Sequence, residues 1–245
     1  NEVAGTTKSG TGIHVLDAAA SSVISNTIED VGYAIRASNT SPEITDNTIT
    51  GCTDYPFYQS GDAFPTYTDN ALTDNVRAGI AVDGTAGTGT WPDIQGLGWA
   101  YVIVADLHIA DGQTLTLPAG TVVKLGYRER RLFVDGTLDL QGTAADPVIF
   151  TSERDDSYAG DTNGDGTATT PAPGDGGSIK FTSTRPNNLF EYAVVRYGSW
   201  KRGQDRMVWA QDVSPTIRHC VFEHGHSQGI RDDNSPAPVS LSHNT

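Results

Sequence analysis

The stretch Pro42-Glu43-Ile44-Thr45-Asp46-Asn47-Thr48-Ile49-Thr50 holds the pattern that decides the fold: a short alternating run, a polar turn closed by Asn, and a second alternating run. The same phase recurs on either side of it, as Asn1-Glu2-Val3, Asn26-Thr27-Ile28 and Asn70-Ala71-Leu72. A repeat of about 22 residues is the signature of a solenoid, and it takes precedence over any local reading. Each period holds three runs of alternating apolar and polar residues, separated by Gly, Asn, Asp or Ser-Pro turns. Runs so short bury nothing alone. Stacked coil on coil at a strand spacing of about 4.8 Å, they pair their backbones and enclose one continuous core.

The Asn at the turn is the position that makes such a stack selective. A carboxamide both donates and accepts, so Asn26, Asn47 and Asn70 in one column satisfy each other where water is excluded. The phase returns near the C-terminus, in Ser214-Pro215-Thr216-Ile217-Arg218-His219-Cys220-Val221-Phe222 and Ser242-His243-Asn244-Thr245. There Cys220 stands at an Asn position. No segment sustains helical apolar spacing without breakers. The expected fold is all-β: a right-handed parallel β-helix over residues 1–245, interrupted by an acidic loop insertion at 153–177.

The middle of the chain carries a resemblance. Leu117-Pro118-Ala119-Gly120-Thr121-Val122-Val123-Lys124, Val134-Asp135-Gly136-Thr137-Leu138 and Gly142-Thr143-Ala144-Ala145-Asp146-Pro147-Val148-Ile149-Phe150-Thr151-Ser152, followed by an Asp-rich loop, resemble secreted bacterial right-handed parallel β-helix repeat proteins. These are related in fold to pectate lyases. The resemblance implies the fold and is nearly silent on activity. The chain departs from the pattern at Gly174-Asp175-Gly176-Gly177, where many relatives carry Trp after the Asp.

Acidic residues number 30 against 16 basic ones, a formal charge of −14. Such a surface repels phosphate backbones and anionic membranes, which excludes nucleic acid as an expected partner. No apolar run approaches the length of a membrane span. Neither an initiator Met nor a signal peptide opens the sequence, so a processed product, fragment or repeat unit is expected. The composition suits an extracellular or cell-surface setting. The two cysteines, Cys52 and Cys220, fall several coils apart, beyond the reach of a disulfide. Asn1 and Asn244 share one phase, so flanking coils of the same chain, or other subunits stacked head to tail, are the expected neighbours.

The strongest site signal is Asp161-Thr162-Asn163-Gly164-Asp165-Gly166-Thr167. Oxygens at alternate positions with Gly at the sixth match the first half of a calcium loop. Asp161, Asn163, Asp165 and the Thr167 carbonyl are the expected ligands of a structural calcium. The twelfth position is Ala172, which excludes an EF-hand, and Asp155, Asp156 and Asp175 are candidates for the missing ligands. The competing reading is an acidic loop ordered by Asx turns alone.

His219, His224 and His226, with Glu223 and Asp232-Asp233, form a second group. Transition-metal or acid–base chemistry is one reading. Because His219 and His243 occupy near-equivalent coil positions, stacking is the expected one. Two basic clusters, Arg128, Arg130 and Arg131, and Lys201, Arg202 and Arg206, are where a uronate carboxylate would be held. Aromatics gather at Tyr55, Phe57, Tyr58, Phe64 and Tyr67, and at Trp91, Trp99 and Tyr101, with Trp200 and Trp209 beyond. Buried filling is expected for the first two groups over a sugar-stacking platform. The leading reading is a non-catalytic extracellular structural or adhesive solenoid, suited to a filament or surface protein. Two alternatives remain: a carbohydrate-binding module, and a lyase or hydrolase acting on acidic polysaccharide.

Overall fold

The computed structural model describes residues 2–4, 9–126, 130–182, 188–199, 206–237 and 239–245. Among them there is no helix, and the chain forms a parallel β-solenoid of about nine turns with about 23 residues in each. Every strand pairing is parallel. The longest sheet runs from Thr11–Leu16 through Tyr33–Ser38, Phe57–Ser60, Gly79–Ala86 and Ala100–Ile109 to Val221–Glu223. Ala100–Ile109 rounds a corner. Its first half pairs with Val122–Leu125 and its second with Arg131–Val134, so the long sheet divides into two outer faces from that point on.

Alternation along each strand sends one residue in and the next out. Ile28, Ile44, Ile49, Phe57, Ile80 and Ile103 are essentially inaccessible and join the single long core. Between them Thr27, Glu43, Thr48 and Thr66 point outward. The β-branched side chains suit a pleated, half-buried surface.

The Asn column is continuous. Asn26 Nδ2 donates to Asn47 Oδ1 at 3.0 Å, and Asn47 Nδ2 donates to Asn70 Oδ1 at 2.9 Å. Asn70 donates in turn to Gln95 Oε1, through both its backbone N–H and its Nδ2. The residues just ahead of each Asn, Ser25, Asp46 and Asp69, lie at φ of 55°, 55° and 52°. Short polar side chains tolerate that left-handed corner. Cys220 does occupy the Asn place: its N–H donates to Asn244 Oδ1 at 3.0 Å, and its Sγ donates to the Arg218 carbonyl. His219, at φ 54°, turns the corner before it. Both cysteines are free and buried.

Candidate functional site

Between Val148–Ser152 and Ser178–Phe181 the chain leaves the coil, and residues 153–177 lie as a strap over the outside of the long sheet. The patch beneath is unusual for an outer face. Tyr55, Tyr58, Ala81, Ala100 and Val102 are buried there, with Val122 and Ala159 packed against them. The outward column Tyr58, Ala81, Val102, Lys124 continues the register across these coils. Lys124 is fully buried, and its Nζ donates to the Gly160 carbonyl at 2.7 Å. Burial pushes this ammonium down to about 8, against the upward pull of Asp156, Asp155, Asp161 and Glu153. The strap also reaches back along the axis. Ala78 N–H donates to the Asp161 carbonyl, and Gly164 (φ 73°) abuts Val76 so closely that a Cβ would lie 2.6 Å from its Cγ1.

The structure gathers the first half of the expected calcium loop into one turn. Asp161 Oδ1 accepts from Gly164 N–H at 2.7 Å, and its Oδ2 accepts from Gly166 N–H at 2.7 Å. Asp165 accepts from Asn163 Nδ2 at 2.8 Å and from the Thr169 hydroxyl, and the Thr169 bond leads the causes that hold its carboxyl below the ordinary range. Asp156 faces the same turn. Burial first, then the negative charge of Asp161, raises its carboxyl, and its buried Oδ1 has no hydrogen-bond partner among the described residues.

Asp155 and Asp175 are engaged elsewhere. Asp155 accepts from Thr151 at 2.6 Å and from Arg196 at 3.0 Å, and Asp175 pairs with Arg154 at 3.3 Å. Among the described residues no three His, Cys, Asp or Glu side chains assemble as a metal group. A shallow cavity of about 370 Å³ opens beside the strap, with Arg154, Asp156, Thr169 and Arg196 in its wall.

The histidines stack. Tyr192, His219 and His243 form one column with centroids 4.9 Å apart at each step, and Tyr197 lies 5.0 Å from His224. His226 donates its backbone N–H to Gly198 O. Of the basic clusters, Arg128, Lys201 and Arg202 lie outside the described residues, as does Trp200. Arg206 donates to Gln228 at 2.7 Å.

A second outer column escaped the sequence reading. His108, Phe133, Lys180, Trp209 and Arg231 are register partners on the other outer face. The His108 and Phe133 rings stack at 4.3 Å and 4°, and Lys180 lies 5.9 Å over Phe133 and 4.2 Å over Trp209. Arg231 caps the opposite side of Trp209 at 5.9 Å. The strap intervenes between Phe133 and Lys180, which hides the period from a reading at fixed spacing. Trp91 and Tyr101, stacked at 4.5 Å, are buried core, as is Phe57, whereas Tyr55 and Tyr58 are buried in the patch beneath the strap.

Comparison with known proteins agrees with this architecture. Residues 1–90 match the family model "Right handed beta helix region", and residues 96–170 match "Pectate-lyase like beta helix domain". No curated protein and no solved structure matches the chain. The ladder, the parallel register and both family models place the chain among the right-handed β-helix repeat proteins.

Proposed function

We propose that the chain is a non-catalytic extracellular solenoid with a structural or adhesive role, whose outer side chains hold its own coils together. The observation that carries this is the His108–Phe133–Lys180–Trp209–Arg231 column. A sugar ring binds an aromatic by lying on its open face. Here both faces of Phe133 and of Trp209 are covered along the axis by the coils before and after. Cation–π and stacked-ring contacts of this kind each contribute about 0.5–1.5 kcal/mol, and repeated along an axis they stiffen a rod.

The strap supports the same reading. Asp155, Asp161, Asp165 and Asp175 accept hydrogen bonds from the loop's own amides and hydroxyls or from neighbouring arginines, as fasteners do. Calcium belongs to this proposal as a structural ion. Asp161, Asn163, Asp165 and the Thr167 carbonyl would hold it, with the unpartnered Asp156 Oδ1 as the group that fits a further oxygen ligand. Its charge would offset the carboxylates that raise Asp156. The axial columns would be extended by more coils, from the same polypeptide or from a second copy. Among the described residues no helix is long and apolar enough to cross a membrane.

The test is a panel of neutral and acidic polysaccharides incubated with the protein, followed by new reducing ends and by ultraviolet absorbance of unsaturated uronates. No product above buffer is expected. Steady product release from any one polymer overturns the non-catalytic reading.

A further inference from the structure

A separate cavity of about 330 Å³ lies between the turn at Pro92–Trp99 and the turn at Pro118–Thr121. Asp93, Trp99, Tyr101 and Asp146 are in its wall, flanked by Pro92 and Pro118, and among the described residues no Lys, Arg or His lines it. Both carboxylates are placed by the backbone. Asp93 Oδ1 accepts from Gly98 N–H at 2.9 Å. Asp146 fits because residue 120 is glycine: a Cβ there would lie 2.8 Å from Asp146 Oδ1 and 2.9 Å from Oδ2. Gly120 also sits at φ 74°, so the turn and the carboxylate's position are fixed together. No hydrogen bond engages the Asp146 carboxylate among the described residues.

Elsewhere the chain puts a cation over its outward rings. Arg36 lies 4.2 Å over Tyr58, Arg77 lies 5.2 Å over Tyr55, and Lys180 lies 4.2 Å over Trp209. Trp99, half-exposed and packed against Phe57 at 6.5 Å, has no such partner among the described residues. We propose that this cavity binds an organic ammonium group, with the cation against Trp99 and between the carboxylates of Asp93 and Asp146. An aromatic wall with paired carboxylates matches a cation on both its quadrupolar and its Coulombic interaction. A cavity near 300 Å³ admits a compact ligand or a single side chain. Uronates and phosphates are disfavoured by two like charges with no base to offset them, and the chain's −14 formal charge draws cations to the mouth. The ammonium would come either from a free quaternary amine or from a lysine of a partner protein.

Isothermal titration of the intact chain with choline, with Nα-acetyl-lysine amide and with methyl glucoside tests the assignment and separates the two sources. Saturable millimolar binding of at least one cation is expected, weakened by added salt and by about fivefold or more in Asp146→Asn. Asp146 is exposed, so this variant should keep the wild-type melting temperature. Preference for choline identifies a free amine, and preference for the lysine amide identifies a side chain. Binding of methyl glucoside as tight as either cation, equal competition by calcium, unchanged affinity in Asp146→Asn, or no saturation with either cation overturns it.

Discussion

Asn47 hands its Nδ2 hydrogen to Asn70 Oδ1 at 2.9 Å while its own Oδ1 accepts from both the backbone N–H and the Nδ2 of Asn26 at 3.0 Å. Only 1% of Asn47 is exposed, so none of these groups has water to fall back on. Asn47→Leu would remove the acceptor of the Asn26 backbone N–H, leave Asn26 Nδ2 only its bond to the Ile24 carbonyl, and take from the Val23 carbonyl the donor that Asn47 Nδ2 supplies at 2.8 Å. At about 1–3 kcal/mol for each buried polar group left unmade, the loss should be about 3–5 kcal/mol. Chemical denaturation followed by circular dichroism measures it. Asn26→Leu, nearer one end of the column, should cost less. Equal and small losses at both positions would show that the column is incidental.

Cys220 and Cys52 should be inert in the native state. Burial pushes the Cys220 thiol up to about 11 and the Cys52 thiol up to about 12. The thiolate is the reactive form, and at pH 8 it is scarce at both positions. Iodoacetamide should therefore label neither residue at pH 8 in the folded protein and both after unfolding, as read by mass spectrometry. Cys220→Asn should be tolerated, because the Asn244 amide already stands below to bond with it.

Lys124 gives stability a pH dependence whose sign follows from its direction of shift. Its folded value is lowered to about 8 from 10.5, so between these limits the unfolded chain binds a proton that the folded chain does not. Stability therefore rises with pH through that window, by roughly 1 kcal/mol per unit at most. The cysteines act oppositely above their unfolded value of 9.0, since their raised folded values lose stability as pH climbs. That contribution is common to wild type and Lys124→Met and cancels in the difference. Lys124→Met should lack the rise, so its stability relative to wild type should fall from pH 8 to pH 10. A difference that stays flat over that range would show that the ammonium is not buried beneath the strap.

How much of this was legible depends on whether one residue type repeats one job. Asn26, Asn47 and Asn70 do, and the alternation around them fixes inward and outward faces, so the coil could be read directly. Gln95 continues the same column with a longer side chain, and a reading tuned to Asn passes over it. Lys124 follows two valines, which reads as a strand with one solvated side chain; burial appears only when the strap folds over it. Phe133 and Lys180 touch across 47 positions of sequence because residues 153–177 leave the coil between them. The alternating oxygens of residues 161–167 were plain. The engagement of Asp155 with Arg196 and of Asp175 with Arg154 was not, because those partners lie on other coils.

The strap offers the last prediction. If Asp161, Asn163, Asp165 and Asp156 share a calcium ion, millimolar calcium should protect residues 153–177 from proteolysis and raise the melting temperature, with magnesium much less effective. At a hundredfold excess over the dissociation constant the gain is about 2.7 kcal/mol. Asp161→Asn should abolish the calcium dependence and also weaken the turn itself, because Asp161 accepts the Gly164 and Gly166 amides. Asp156→Asn separates the two effects. Its Oδ1 has no hydrogen-bond partner to lose, so in chelator the variant should melt at or slightly above wild type. The rise follows because the substitution removes a carboxyl whose charge is disfavoured by burial and by Asp161. In calcium it should gain less than wild type. Equal stabilisation of wild type and both variants by calcium would place the ion elsewhere. No stabilisation of wild type would leave Asx turns and the Lys124 bond to Gly160 as what orders the strap.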